Sequence, residues 1–164
     1  MKKIIEIVPN YSEGRNSEVM KKIISPFENN EDIYLVRLEM EPSYNRSVVT
    51  VIGEANTVIE KMVESAKIAT ELIDLRNHKG EHPRLGAVDV TPIIPLRNIS
   101  YDECVKLSKE LGKKINLATN VPVYLYAKSA TRPHTESLVE IRKGEFEGLK
   151  EKMHDLKWLP DFGI

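Results

Sequence analysis

Hydrophobic residues in the first half of the chain follow two different periods. The segment KIIEIVP (3–9) alternates apolar and polar residues, which predicts a strand that ends at its proline. SEVMKKIISPF (17–27) has apolar residues at helical spacing, and its proline limits the predicted helix. IYLVRLEM (33–40) and RSVVTVIGE (46–54), separated by the turn EPSYN, predict the two strands of a hairpin.

The second half begins with a long predicted helix, residues 56–76, which carries one apolar stripe. GAVDVTPIIPL (86–96) predicts a strand, and its two prolines indicate that its far end is an edge or a bend. Ser100 and the glutamate three residues later form a capping-box pattern at the start of another helix. VPVYLYA (121–127) predicts one more strand, SATRPHTES (129–137) predicts a polar loop, and the charged last part up to Trp158 predicts helix.

The order of these elements predicts an α+β fold. Two βαβ units joined through a hairpin match a ferredoxin-like two-layer sandwich (βαββαβ). The remaining α-β-α would extend its sheet by one strand. We therefore expect one domain over residues 1–164, and the terminal motif WLPDFGI leads us to expect that further chain follows it.

The composition indicates a globular protein without a generally basic surface. The 164 residues are 41% hydrophobic and 30% charged, with 24 Lys and Arg against 25 Asp and Glu. This balance predicts no nucleic-acid partner, and no apolar run is long enough to predict a membrane span. The single cysteine, Cys104, lies in an apolar helical pattern and is expected to be buried. These features predict a cytoplasmic protein.

The connection RNHKGEHPRLGA (76–87) carries most of the candidate chemistry. His78 and His82 are four residues apart, but the intervening glycine and the proline after His82 oppose a helical metal-binding pair. We therefore predict no metal site. An imidazole titrates near neutral pH, so His82 is the candidate general acid or base. From the pattern alone, a solvated surface loop explains the charges equally well.

Several charged and polar residues near His82 are candidate binding groups. Glu81 could orient the imidazole, and the cationic side chains of Lys79 and Arg84 could hold carboxylates. The pair Asn45-Arg46, at the start of a predicted strand, could hold an anion or form an ordinary exposed turn.

Specific motifs resemble the N-terminal subdomain of the glutamate formimidoyltransferase (formiminotransferase) family. They cover essentially the whole chain, in the family's order: VPNYSEGRN (8–16), EPSYNRSVVT (41–50), HKGEHPRLGAVDVTPIIPL (78–96), DEC (102–104), VPVYLYA (121–127), IRKGEFEGL (141–149) and WLPDFG (158–163).

The resemblance implies an enzyme of histidine degradation and one-carbon metabolism. It implies transfer of a formimidoyl group from N-formimidoyl-L-glutamate to N5 of tetrahydrofolate, with no metal cofactor. His82 matches the family's catalytic histidine. The resemblance also places Asn10, Glu39, Asn45 and Gly163 at the substrate site, and it gives Arg46, Lys79, Glu81 and Arg84 a role in binding substrate.

Two departures from the family pattern affect the expected function. Where the family has aspartate, a small residue and glycine, this chain has Glu39-Met40-Glu41. The family enzyme also has two similar subdomains with folate between them, and this chain resembles only the first. The expected partner is a second copy of the chain or a separate C-terminal subdomain. The alternatives are a non-catalytic folate- or partner-binding module and a structural dimerisation domain.

Overall fold

The computed structural model describes residues 1–163. None of the helices within those residues is long and apolar enough to cross a membrane. The elements are β1 (Ile4–Ile7), β2 (Asn10–Tyr11), α1 (Ser17–Ile24), β3 (Ile33–Glu41), β4 (Arg46–Glu54), α2 (Ala55–Leu72), β5 (Val88–Val90), β6 (Ile93–Arg97), α3 (Tyr101–Thr119), α4 (Leu138–Arg142) and α5 (Glu145–Lys152), with short 3₁₀ turns between some of them.

The strands form one antiparallel sheet, so the predicted α+β class is confirmed. β4 pairs with β3 on one side and with β1 and β2 on the other. β1 pairs in turn with β6, and β2 pairs with β5. β1 and β2 are therefore two parts of one bent row, and β6 and β5 form a second bent row at the sheet edge. The predicted hairpin and the predicted proline-interrupted edge strand are both confirmed.

One face of the sheet and the helices α1, α2 and α3 make the core. Strand residues alternate between burial and partial exposure along β4, as the period of a half-covered strand requires. The fully buried strand side chains Ile5, Ile7, Tyr11, Val49 and Val51 meet apolar side chains of α1, α2 and α3. Cys104 is among the buried residues on α3, as predicted. The opposite face of the sheet is free of helices from this core.

Helix boundaries follow from local capping groups. The Ser100 side chain and Glu103 form the predicted capping box at the start of α3. α2 ends at Leu72, although the apolar pattern predicted a helix to residue 76. Ile73 is already extended, and the Asp74 side chain accepts from the backbone N–H of Arg76 (3.0 Å). This competing local bond begins a separate turn and stops the helix.

The segment 121–127 is not a strand of the sheet, so that part of the prediction was wrong. Its single β-bridge joins Val123 to Phe162. The Val123 N–H donates to the Phe162 carbonyl (2.9 Å), and the Val123 carbonyl accepts from the N–H groups of Asp161 (2.9 Å) and Phe162 (3.1 Å). The outer row of the sheet contains two prolines, which offer no N–H to a further strand.

A buried pair of hydroxyl groups joins α1, α2 and the sheet. Tyr11 and Ser65 are fully buried, with their oxygens 2.6 Å apart, and the Ser65 hydroxyl donates to the Ile23 carbonyl (2.7 Å). We expect Ser65→Ala to lower the free energy of unfolding by about 1–3 kcal/mol, because it leaves the Tyr11 hydroxyl without its partner. Urea unfolding measures this change.

The matched control is Ser25→Ala. Ser25 is exposed, and its hydroxyl makes the same kind of bond to the Lys22 carbonyl (2.7 Å), where water can replace it. Equal losses in the two variants would contradict a stabilising role for the buried pair.

Candidate active site

The candidate loop, residues 76–87, packs against the turn of the β3–β4 hairpin. Gly80 lies so close to Tyr44 that a Cβ atom would come within 2.2 Å of the Tyr44 carbonyl oxygen. The Glu81 N–H donates to the Ser43 carbonyl (3.3 Å) beside this contact. Only glycine allows the two backbones to approach this closely. The loop is therefore held against the hairpin and is not a freely solvated connection.

Asn45 joins the hairpin to two other segments. Its backbone has φ of +52°, a left-handed conformation that asparagine tolerates better than most residues. Its side-chain oxygen accepts from the Gly14 N–H (2.8 Å), and its side-chain nitrogen donates to the Lys79 carbonyl (3.2 Å). The Asn45 amide is thus occupied in holding the β2–α1 loop and the candidate loop together.

His78 has hydrogen-bond partners at both ring nitrogens. Nε2 lies 2.9 Å from the Asn45 carbonyl oxygen, which can only accept, so Nε2 carries the proton. Nδ1 accepts from Arg84 Nε at 3.0 Å. This arrangement gives His78 a structural position beside the turn.

His82 lies between a cation and a carboxylate. Only 7% of the residue is exposed. Its Nδ1 is 3.1 Å from Arg46 Nη1, so Nδ1 accepts and the proton of the neutral ring is on Nε2. Nε2 is 3.6 Å from Asp89 Oδ2, which is within ion-pair range but too long for a hydrogen bond. A proton-accepting nitrogen thus faces the start of β4, and the other nitrogen faces β5.

Asp89 is the acidic partner of this site, and sequence reasoning did not single it out. Its side chain is 1% exposed and forms an ion pair with Arg142 from α4. Its Oδ1 accepts from the Leu85 and Gly86 N–H groups, the latter at 3.3 Å. The available signal was one carboxylate in the otherwise apolar run AVDVTPII, because a lone charge in a buried strand needs a partner.

The surroundings of His82 favour the neutral imidazole. Burial is the largest cause that lowers its pKa, and the positive charges of Arg46 and Arg142 act in the same direction. Asp89 opposes them, because its negative charge raises the pKa of His82. The net effect is a pKa below the ordinary value, so His82 is a proton acceptor at neutral pH.

Arg46 contacts three groups of the site. Its Nε donates to Glu41 Oε1 at 2.8 Å, and Nη2 lies 2.7 Å from the same oxygen, in an ion pair. Its guanidinium carbon lies 5.0 Å from the centre of the Tyr44 ring, in cation–π range. The third nitrogen is the one that contacts His82.

Arg84 is buried and bound to glutamates of α5. Its Nη1 and Nη2 donate to the two carboxylate oxygens of Glu147 at 2.6 Å and 2.7 Å, in a two-pronged pair. Nη1 also donates to Glu145 Oε1 (3.1 Å). The Arg84 carbonyl accepts from the Phe146 N–H (3.1 Å). The predicted carboxylate holder is therefore already paired within the chain, by residues that the sequence left unassigned.

Asn10, Glu39 and Arg46 share the open face of the sheet. Asn10 and Glu39 are both paired with Val48, from opposite sides of β4. Arg46 is two residues before Val48, so its side chain points to the same face. Glu39 forms an ion pair with Arg37 (3.2 Å) and is largely exposed. Within residues 1–163, Glu39 makes no hydrogen bond or ion pair with His82.

The other predicted site residues lie apart from the His82 contacts. Lys79 and Glu81 are exposed on the candidate loop. Gly163 has φ of +79° and lies against α3, where an added Cβ would be 2.2 Å from the Asn116 side-chain nitrogen. The structure thus brings His82 together with Arg46, and Asn45 joins the candidate loop to the hairpin.

An apolar cavity of about 860 Å³ lies behind the site, between α2, α3 and the C-terminal helices. Asp89 and Arg142 form part of its wall. No group of three or more His, Cys, Asp and Glu side chains within residues 1–163 is placed to hold a metal ion.

Known proteins match this chain over nearly its full length. The family model described as "Formiminotransferase domain, N-terminal subdomain" matches residues 4–164. Formimidoyltransferase-cyclodeaminase of Rattus norvegicus is 45% identical over 163 residues, which are 99% of this chain and 30% of the rat protein.

Two shorter relatives are glutamate formimidoyltransferases. Glutamate formimidoyltransferase of Streptococcus pyogenes serotype M1 is 40% identical over 163 residues, which are 99% of this chain and 54% of that protein. The protein of the same name from Thermoplasma acidophilum is 40% identical over 162 residues, which are 98% of this chain and 54% of that protein. The chain thus spans about half the length of these two relatives. It belongs to the formiminotransferase family and corresponds to the family's N-terminal subdomain.

Proposed function

We propose that this chain is the histidine-bearing half of a glutamate formimidoyltransferase. It would transfer the formimidoyl group of N-formimidoyl-L-glutamate to N5 of tetrahydrofolate, with His82 as general acid and base. The observation that carries this proposal is the buried His82, whose Nε2 faces Asp89 and whose Nδ1 can take a proton once the Arg46 guanidinium releases it. The relatives' names and the family motifs supply the reaction.

The proposed chemistry needs one proton removed and one returned. The N5 amine attacks the amidine carbon of the donor, and the electron pair of the C=N bond moves to nitrogen. His82 takes the proton that N5 loses. The imidazolium then protonates the glutamate nitrogen, whose C–N bond breaks as the C=N bond re-forms on the folate. A single group whose pKa lies near neutral can perform both steps.

Binding of the glutamyl carboxylates would fall to the cations around His82. Arg46 has the best position, since it contacts His82 and points to the open face of the sheet. Lys79 is exposed and unobstructed. Arg84 would have to exchange Glu147 for a substrate carboxylate, so its present contacts support a role in positioning the loop. Binding by Asn10, Glu39, Asn45, Glu81 and Gly163 stays a prediction.

We further propose that a second subdomain or a second copy covers the open sheet face, with tetrahydrofolate between the two. This chain covers about half the length of the glutamate formimidoyltransferases, which supports this arrangement.

We also propose a ferredoxin-like arrangement of the first six predicted elements. It is supported by the order of the strands across the sheet, which is β3, β4, β1/β2 and β6/β5. A role in histidine degradation and a cytoplasmic location stay predictions from the sequence.

One observation favours the alternative, a module that binds folate or a partner without catalysis. Glu41 already occupies Arg46, and this contact weakens the attraction of Arg46 for a substrate carboxylate. The assay of 5-formimidoyltetrahydrofolate formation, by this chain alone and with a C-terminal subdomain, separates the two functions. Absence of product under both conditions would contradict the transferase.

The first catalytic prediction concerns His82→Asn. We expect it to lower kcat by about 100- to 10,000-fold, the range for losing a general acid or base. The far-ultraviolet circular dichroism should not change. His154→Asn is the matched control, because His154 is exposed after α5. Equal activity of the two variants would contradict the assignment.

The second prediction concerns pH. The neutral form of His82 is the active base, and its pKa lies below the ordinary value. The rate is therefore lost as pH falls and His82 becomes protonated. We expect the midpoint of the acidic limb of kcat/KM to lie below the ordinary pKa of a histidine. An acidic limb that already begins above neutral pH would show that another group is the base.

The third prediction concerns Asp89 as a positioning residue. Asp89→Asn would leave the mostly buried Arg142 without its counter-charge, at a cost of about 3 kcal/mol in the free energy of unfolding. It should also shift the acidic limb of the rate to lower pH, because the group that raises the pKa of His82 is gone. Asp32→Asn is the control, since Asp32 pairs with Lys2 at the surface. An unchanged acidic limb would restrict Asp89 to a structural role.

A further inference from the structure

The contact between Glu41 and Arg46 places a carboxylate of the chain itself in the candidate active site. Glu41 ends β3 and is paired in register with Arg46, the first residue of β4. Its Oε1 accepts from Nε of the guanidinium (2.8 Å) and lies 2.7 Å from Nη2, in an ion pair. The remaining nitrogen, Nη1, lies 3.1 Å from His82 Nδ1. One guanidinium therefore holds an internal carboxylate on one edge and the proposed base on the other.

This pair differs from an ordinary surface ion pair in its surroundings. The side chains of Arg46 and Glu41 are 22% and 30% exposed. The cross-strand register and the Tyr44 ring limit the positions that the guanidinium can take. Its outer end, formed by further N–H groups of Nη1 and Nη2, has no protein acceptor within residues 1–163. An incoming anion would meet a correctly placed but already partly neutralised cation.

We propose that Glu41 is a specificity-determining residue, an internal carboxylate that competes with the carboxylate of a glutamyl substrate for Arg46. The inference rests on the proposed function only in taking a glutamyl group as the ligand. Both proposed substrates contain one, the formimidoyl donor directly and the folate in its tail. Glu41 reduces the affinity for either group, because it offsets the charge of Arg46 and repels a second carboxylate nearby.

The same guanidinium links anion binding to His82. The charged groups that face His82 are Arg46 on β4, Asp89 on β5 and Arg142 on α4, and Glu41 acts on it through Arg46. Glu41 offsets part of the positive charge beside Nδ1. Loss of the Glu41 charge should lower the pKa of His82, and a carboxylate bound to Arg46 should raise that pKa again.

The test compares the 164-residue chain with Glu41→Gln by isothermal titration calorimetry. Two probes distinguish the source of the glutamyl group: N-acetyl-L-glutamate represents the donor, and p-aminobenzoyl-L-glutamate represents the folate tail. We expect the variant to bind at least one probe about two- to fivefold more tightly, the range for a partly exposed ion pair. The probe that gains affinity identifies the substrate whose carboxylate Arg46 holds.

Two further variants locate the effect. Glu28→Gln removes an equal charge from the exposed turn after α1 and should leave both affinities unchanged. Adding Arg46→Gln to Glu41→Gln should abolish the gain. Nuclear magnetic resonance of the His82 ring should show a lower pKa in free Glu41→Gln, which returns towards the wild-type value when the probe binds. If Glu41 has a purely structural role, neither the gain in probe affinity nor the lower pKa of His82 will appear.

Unchanged or weaker probe binding by Glu41→Gln would overturn the proposal, and so would a failure of both proteins to bind either probe. An equal gain in Glu28→Gln would also overturn it. These measurements do not depend on turnover. If the affinity gain appears but no formimidoyl transfer occurs with a C-terminal subdomain present, the transferase function fails while the role of Glu41 stands.

Discussion

The buried carboxylate of Asp89 is the group on which the candidate site depends. A charge with 1% side-chain exposure must have partners, and here they come from α4 and from the loop before β5. Arg142 supplies the counter-charge from α4, the loop before β5 supplies backbone N–H groups, and His82 lies within ion-pair distance. The position of His82 is therefore determined together with the packing of a C-terminal helix against an edge strand.

The two histidines of the candidate loop have different roles because their neighbours differ. His78 is bound at both nitrogens to groups of the scaffold, and through Arg84 it connects with Glu147 on α5. His82 has a cation at one nitrogen and a carboxylate beyond hydrogen-bond distance at the other. The C-terminal helices hold the loop through two Arg–carboxylate pairs, so they belong to the site although they are remote in sequence.

The features that the sequence predicted correctly depend on contacts between near neighbours. The alternation in β4, the hairpin and the capping box at Ser100 each involve residues that are close in the chain. The strand predicted at 121–127 was wrong because its apolar run is compatible with several buried settings. Its backbone groups are taken by the C-terminal segment around Phe162, which no local pattern encodes.

The sequence by itself determined the α+β class, the family and the histidine of interest, because periodicity, capping and a specific motif are all local. The tertiary structure alone decided the partners of that histidine. Asp89 lies beside His82 because of the way β5 packs, while Arg142 acts on it beside Asp89 and Glu41 acts on it through Arg46. Strand pairing and helix packing bring these groups together, and no local pattern encodes them. Electrostatic effects depend on separation in space and on burial, so the chemical state of His82 could not be predicted from its position in the chain.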